Sequence, residues 1–179
     1  MRKNLIKKIS LISILAALAI ILSIVESFIP LGIPGVKLGL ANVVIIIVLY
    51  IFNFWYALGI ALVRVFVSSL LLGTIFQMGF FMSLTGSILS LLAMFLLKVI
   101  FKKFSVIGVS TIGSVFHVSG QILIAIFYMG NVMVYYYPLI LLCSIVTGVL
   151  TGVISLYVMR LKVFTNLNIN EHKEDITKE

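Results

Sequence analysis

Acidic residues are almost absent from this chain: five of 179 residues are Asp or Glu, and Glu26 is the only one ahead of Glu171. That scarcity excludes the paired acidic clusters that hold magnesium on a diphosphate. The single cysteine, Cys143, rules out an intramolecular disulfide and leaves the redox compartment open. The two histidines, His117 and His172, are too far apart for metal-ligand spacing, and His172 reads as a solvated side chain of a polar tail. No G-x-x-x-x-G-K phosphate loop and no G-x-S-x-G elbow occurs, so the chain carries neither motif-based ATP hydrolysis nor a nucleophile elbow. Together these absences argue against an enzyme, predict neither cofactor nor metal, and leave binding or transport.

What is present is apolar. Hydrophobic residues make up 63% of the chain, charged residues 10%, and the mean hydropathy is +1.31. A soluble globule of this size cannot hide that much apolar surface, so the sequence describes an integral membrane protein. The net charge of +8 does not point to nucleic acid, because the basic residues cluster at the ends of apolar segments, where they set membrane orientation. The basic start MRKNLIKKIS is followed by no small-residue cleavage pattern, and it reads as the flank of a retained first helix.

About 20 apolar residues cross a bilayer as a helix. By that measure the sequence predicts an all-α bundle of six transmembrane helices, over 9–26, 38–53, 55–73, 78–98, 105–129 and 135–160. Together 1–165 form the membrane domain, and 166–179 a polar tail. The charge pattern places Arg2, Lys3, Lys7, Lys8, Lys98, Lys102, Lys103, Arg160 and Lys162 on one side and only Lys37 on the other. The positive-inside rule then puts both termini in the cytoplasm of a multi-pass protein of the bacterial plasma membrane.

Small and hydroxylated residues recur at helical spacing in nearly every span, including Gly148-x-x-x-Gly152 in the last. Their simplest role is close packing between helices in lipid. Arg64 differs, because a charge near the middle of a membrane helix must pair or face water. Counted from the turn at Asn53 it lies about 10 residues, roughly 15 Å, into the membrane. His117 reaches a comparable depth, with Gln121 one turn further out. Glu26 and Asn42 end and begin helices on the outer side.

These groups, with Lys37, describe a pocket open to the outside, and the balance of charge favours an anion such as a phosphate, diphosphate or carboxylate. The structural alternative is an internal ion pair between Glu26 and Arg64. Aromatic and methionine side chains at the outer ends, among them Phe76, Phe81 and Tyr135, serve either as a grip on an apolar ligand portion or as an interfacial belt.

The stretch Glu26 to Asn42, ESFIPLGIPGVKLGLAN, joins the first two spans on the outer side. Pro30 and Pro34 stiffen it, while Gly32 and Gly35 let its backbone turn closely over a ligand, as a gating lid requires. This stretch, followed by Arg64 within ALVRVFVSSLLLGT, resembles the membrane family of Gx transporters, whose members often carry the label heptaprenyl diphosphate synthase component I. That family is similar to the substrate-binding S-components of energy-coupling factor transporters.

The resemblance implies a six-helix protein that captures a small metabolite, such as a vitamin, flavin, or isoprenoid or quinone precursor, from outside. Separate scaffold and ATPase subunits would supply the energy. Docking on such a scaffold typically uses small residues of the first helix, for which Ser13 with Ala17 and Ala19 with Ser23 are the nearest equivalents. A competing expectation is a membrane accessory protein of prenyl diphosphate or quinone metabolism that transports nothing. A membrane enzyme using His117 and Glu26 ranks last.

The orientation is testable by cysteine labelling in a Cys143→Ala background. An impermeant maleimide applied to intact cells should label Asn131→Cys, in the turn between the last two spans, and leave Lys7→Cys unmodified until the cells are opened. The opposite pattern would invert the topology.

Overall fold

A computed structural model describes residues 2–29, 37, 39–101 and 104–161. The expected gating residues Pro30, Gly32, Pro34 and Gly35, and the tail 166–179, lie outside the described residues. Six helices follow in order: α1 Arg2–Ser27, α2 Asn42–Ile51, α3 Phe54–Leu71, α4 Met78–Ile100, α5 Val106–Met129 and α6 Met133–Met159. No strand occurs among the described residues. Five of these helices are long and apolar enough to cross a membrane, which makes the chain a multi-pass, all-α membrane bundle.

The second helix departs from expectation. It has ten residues, or about 15 Å, half of a hydrocarbon core. Its sequence, NVVIIIVLYI, is rich in β-branched residues that favour strands in water. In lipid every backbone polar group must be satisfied internally, so the same run forms a helix. Nine of its ten residues are buried, Tyr50 being the exception, because α2 is the central post against which α1, α3, α4, α5 and α6 all pack.

α2 begins at Asn42 because the preceding residues form a tight turn. Gly39 has φ +87°, a conformation that side chains strain, and a Cβ there would lie 2.9 Å from Asn42 Nδ2 and 3.4 Å from the His117 ring. Asn42 donates from Nδ2 to Ser90 Oγ at 3.4 Å, and Ser90 stands about 15 Å from the inner end of α4. Asn42 therefore lies at mid-depth and not at the outer end. The column expected as one span over 38–53 is built from a non-helical outer piece and a helical inner half.

The inner end of α2 is closed by neighbouring charges. Lys98 Nζ donates to Leu49 O at 2.7 Å and sits 5.0 Å from the Tyr50 ring. It thereby satisfies one of the orphan carbonyls at the end of the helix. Asn53 then caps α3 by accepting from Tyr56 N at 3.2 Å, which allows a two-residue connection.

The polar stripes face inward. Ser110 Oγ and Thr151 Oγ1 share a hydrogen bond of 2.9 Å between α5 and α6, and Ser155 donates to Val43 O at 3.3 Å. The glycine pair of α6 lies against the α5 backbone: a Cβ on Gly148 or Gly152 would stand 2.7 Å from Cα of Thr111 or Ile107. That motif packs α6 on α5 within the chain and is not left for a partner.

Gly152→Val should therefore destabilise the bundle by about 1–3 kcal/mol through overpacking, seen as a lower melting temperature in detergent. Gly59, with nothing within 4 Å of its Cβ position, is the control. Gly59→Ala should be neutral or slightly stabilising, and equal losses in both variants would refute the packing assignment.

Candidate functional site

Glu26 is buried at the end of α1, 2% exposed. It bonds backbone and not the arginine: its Oε1 accepts from Leu40 N at 2.5 Å. Arg64 instead donates from Nη2 to Ser87 Oγ at 2.5 Å. Glu26 still feels the charges of Arg64 and Lys37 through space. A carboxylate here has a clear local cause, since the turn before α2 presents N–H groups that no helix satisfies.

Lys37 belongs to the same turn. Its N–H donates to Gln121 Oε1 at 3.0 Å, and its Nζ donates to Ser23 O at 3.4 Å and Ser23 Oγ at 3.3 Å. Ser23 Oγ passes the contact on to Ser68 Oγ of α3 at 3.3 Å. Burial lowers the Lys37 pKa to about 8; the Glu26 charge opposes that shift and the Arg64 charge adds to it.

Arg64 and His117 meet on either side of one turn of α4. Ser87, which accepts from Arg64, donates in turn to Ser83 O at 2.5 Å. Gly86, between them, lets α5 approach so closely that a Cβ would lie 2.7 Å from His117 O and 3.1 Å from His117 Nδ1. His117 Nε2 lies 2.9 Å from Gln121 Nε2.

Because Gln121 Oε1 is occupied by the Lys37 N–H, its amide nitrogen faces the ring as donor. His117 Nε2 is then the acceptor, and the imidazole proton resides on Nδ1. His117 thus enters the site as a neutral imidazole. Arg64 Nε, Ser83 Oγ and Ser114 Oγ are buried without a hydrogen-bond partner, while His117 Nδ1, also without a well-aligned bond, faces the Gly86 backbone. Buried polar atoms are normally paired, so Arg64 Nε and Ser83 Oγ, both beside the Arg64–Ser87 bond, stand out.

Of the six expected ligand residues, Lys37, Gln121 and His117 are joined by hydrogen bonds, whereas Glu26 bonds Leu40, Asn42 bonds Ser90 and Arg64 bonds Ser87. Sequence reasoning treated Ser83 and Ser87 as packing residues and passed over Gly86. Counting depth along α4 would have found them, since Ser87 stands about 20 Å from the inner end, close to the level of Arg64.

Other expected features separate. Ala19 and Ser23 are buried in the bundle, so that half of the expected docking stripe cannot meet a partner, whereas Ser13 and Ala17 are exposed. The outer aromatics pack edge-to-face on one another, with the Phe80 ring centroid 5.2 Å from that of Phe66 and 5.6 Å from that of Phe76. A groove of about 270 Å³ between α5 and α6, lined by Ser119, Ile122, Leu123, Ile126, Val134 and Tyr137, is apolar and contains none of the polar cluster.

Comparison with known proteins gives one match: the family model for heptaprenyl diphosphate synthase component I covers residues 15–158. No curated protein and no solved structure matches the chain.

The environment of Lys37 predicts its titration. Its folded pKa of about 8 lies below the ordinary 10.5, so acylation by an amine reagent should rise through about pH 8. Because folding disfavours the charged form, the site should also gain stability as pH rises from about 8 towards 10.5. Peptide mass spectrometry after timed labelling measures the first effect. A Lys37 profile that matches the exposed lysines would show that the side chain is solvated.

Proposed function

The chain belongs to the heptaprenyl diphosphate synthase component I family, and from that premise we propose that it is the substrate-binding membrane component of a small-molecule uptake system. It captures an anionic or amphipathic metabolite from the outer side within the polar cluster of α1, α3, α4 and α5, and other subunits supply energy and a scaffold. The observation that carries this reading is the pair of buried, unpartnered polar atoms beside the Arg64–Ser87 bond, Arg64 Nε and Ser83 Oγ. A ligand oxygen satisfies such atoms, and membrane-buried charges commonly mark substrate paths. The half-length α2 adds support, because helices broken at mid-depth are a recurrent way to build transporter binding sites.

The family's description names a synthase component, yet Glu26 is the only acidic residue ahead of Glu171. Synthase chemistry on a diphosphate needs acidic metal sites that so few carboxylates cannot build. The words "component I" favour membership of a larger assembly, which keeps a second reading open: an accessory membrane protein for prenyl diphosphate or quinone metabolism. For either role, the exposed Ser13 and Ala17 face of α1 is the better docking surface.

Mass spectrometry of the protein purified from its host membranes should reveal a bound small acid. Arg64→Gln should weaken its retention about 10- to 100-fold, the effect of losing a charge-assisted hydrogen bond. Ser83→Ala should produce a smaller loss. Uptake of that compound into vesicles only when an ATP-driven module is present separates transport from the accessory role. Equal retention by parent and Arg64→Gln would end the binding reading.

A further inference from the structure

The charges around the polar cluster narrow the ligand further, on the basis of the binding site proposed above. α1 contributes Glu26, the turn before α2 contributes Lys37, and α3 contributes Arg64. α2 faces the cluster with the neutral Asn42 and α4 with serines. No formally charged residue occurs between Phe104 and Met159, so α5 and α6 add none. His117 is neutral by the hydrogen-bond logic given above. Two positive groups and one negative group leave a single net positive charge.

An uncompensated charge at this depth is strongly disfavoured, and each further unpaired charge is disfavoured again. The hydrogen-bond inventory is equally one-sided. The acceptors Glu26 Oε1 and Gln121 Oε1 are taken by Leu40 N and Lys37 N. The unpartnered Arg64 Nε carries a proton to donate, the Ser83 hydroxyl is able to donate as well, and the His117 Nδ1 proton faces the Gly86 backbone.

We propose that the site takes a monoanionic oxyanion, a carboxylate in the first instance, and rejects diphosphates. One negative charge brings the cluster to neutrality, and carboxylate oxygens supply acceptors and no donors. A diphosphate brings more than one negative charge and leaves the excess buried with no metal cluster to share it, since no group of three His, Cys, Asp or Glu stands together among the described residues. The ligand is thus of a different class from the one in the family's description.

The test measures binding to the full-length protein in nanodiscs by calorimetry and thermal shift. The probes are acetate, benzoate and octanoate as carboxylates, benzamide and octanamide as neutral matches, and inorganic pyrophosphate and geranyl diphosphate. At least one carboxylate should bind 10-fold or more tightly than its amide and than both diphosphates. Lys37→Met, which removes the net charge, should lose that preference, and Lys37→Arg should keep it. Size-exclusion profiles and parent-like melting confirm that the variants are folded.

Tighter binding of a diphosphate that disappears in Arg64→Gln would overturn the monoanion assignment and leave the binding site standing. Equal binding of amide and carboxylate would also overturn it. Absence of binding by every probe, or binding indifferent to Arg64→Gln, would sink both the assignment and the site.

Discussion

A short stretch of non-helical backbone runs at membrane depth, and the rest of the structure is organised to accommodate it. Lipid offers no hydrogen bonds, so the N–H groups of Lys37 and Leu40 must find partners within the protein. Glu26 takes one from Leu40, and Gln121 takes another from Lys37. Those two requirements place one acid and one amide on facing helices, and hold α1 and α5 at a fixed distance from the top of α2. The central helix is consequently short, entirely enclosed and surrounded by the other five.

The arginine is left without its obvious partner by the same arrangement. With Glu26 committed to backbone, Arg64 reaches across to α4, where one serine meets one of its nitrogens and Nε remains unpaired. Gly86 sets the other wall, because only a residue without a side chain lets His117 come so close. A buried polar cluster results from packing constraints that no single residue type announces. Glu26 Oε1 and Gln121 Oε1 are used to tie down the chain, and the donors left beside Arg64 are what support the proposed capture of an anion.

Much of this was legible beforehand, and the reason is arithmetic. At about 1.5 Å per residue, distance along a helix converts directly into depth, which puts Arg64 and His117 at comparable depth and Gln121 one turn further out. Composition alone demanded a membrane bundle, and the loop stretch with Arg64 pointed to the family matched over residues 15–158. The partners of those residues were less accessible. Backbone N–H groups leave no mark in a sequence, so the bond from Leu40 to Glu26 is not legible there, and the Glu26–Arg64 pair, held as the structural alternative, does not anticipate it.

The sequence by itself determined the apolar helices, their polar stripes and the depth of each charged group, because these depend only on local composition and the fixed rise of a helix. Only the tertiary structure decided that the continuous apolar run after Leu38 begins its helix at Asn42, since nothing in the run marks where a neighbouring helix will satisfy the backbone. It also decided that Ala19 and Ser23 face inward while Ser13 and Ala17 face out. α1 is apolar around most of its circumference, so its sequence has no face to read, and the direction each residue points is set by what packs against it.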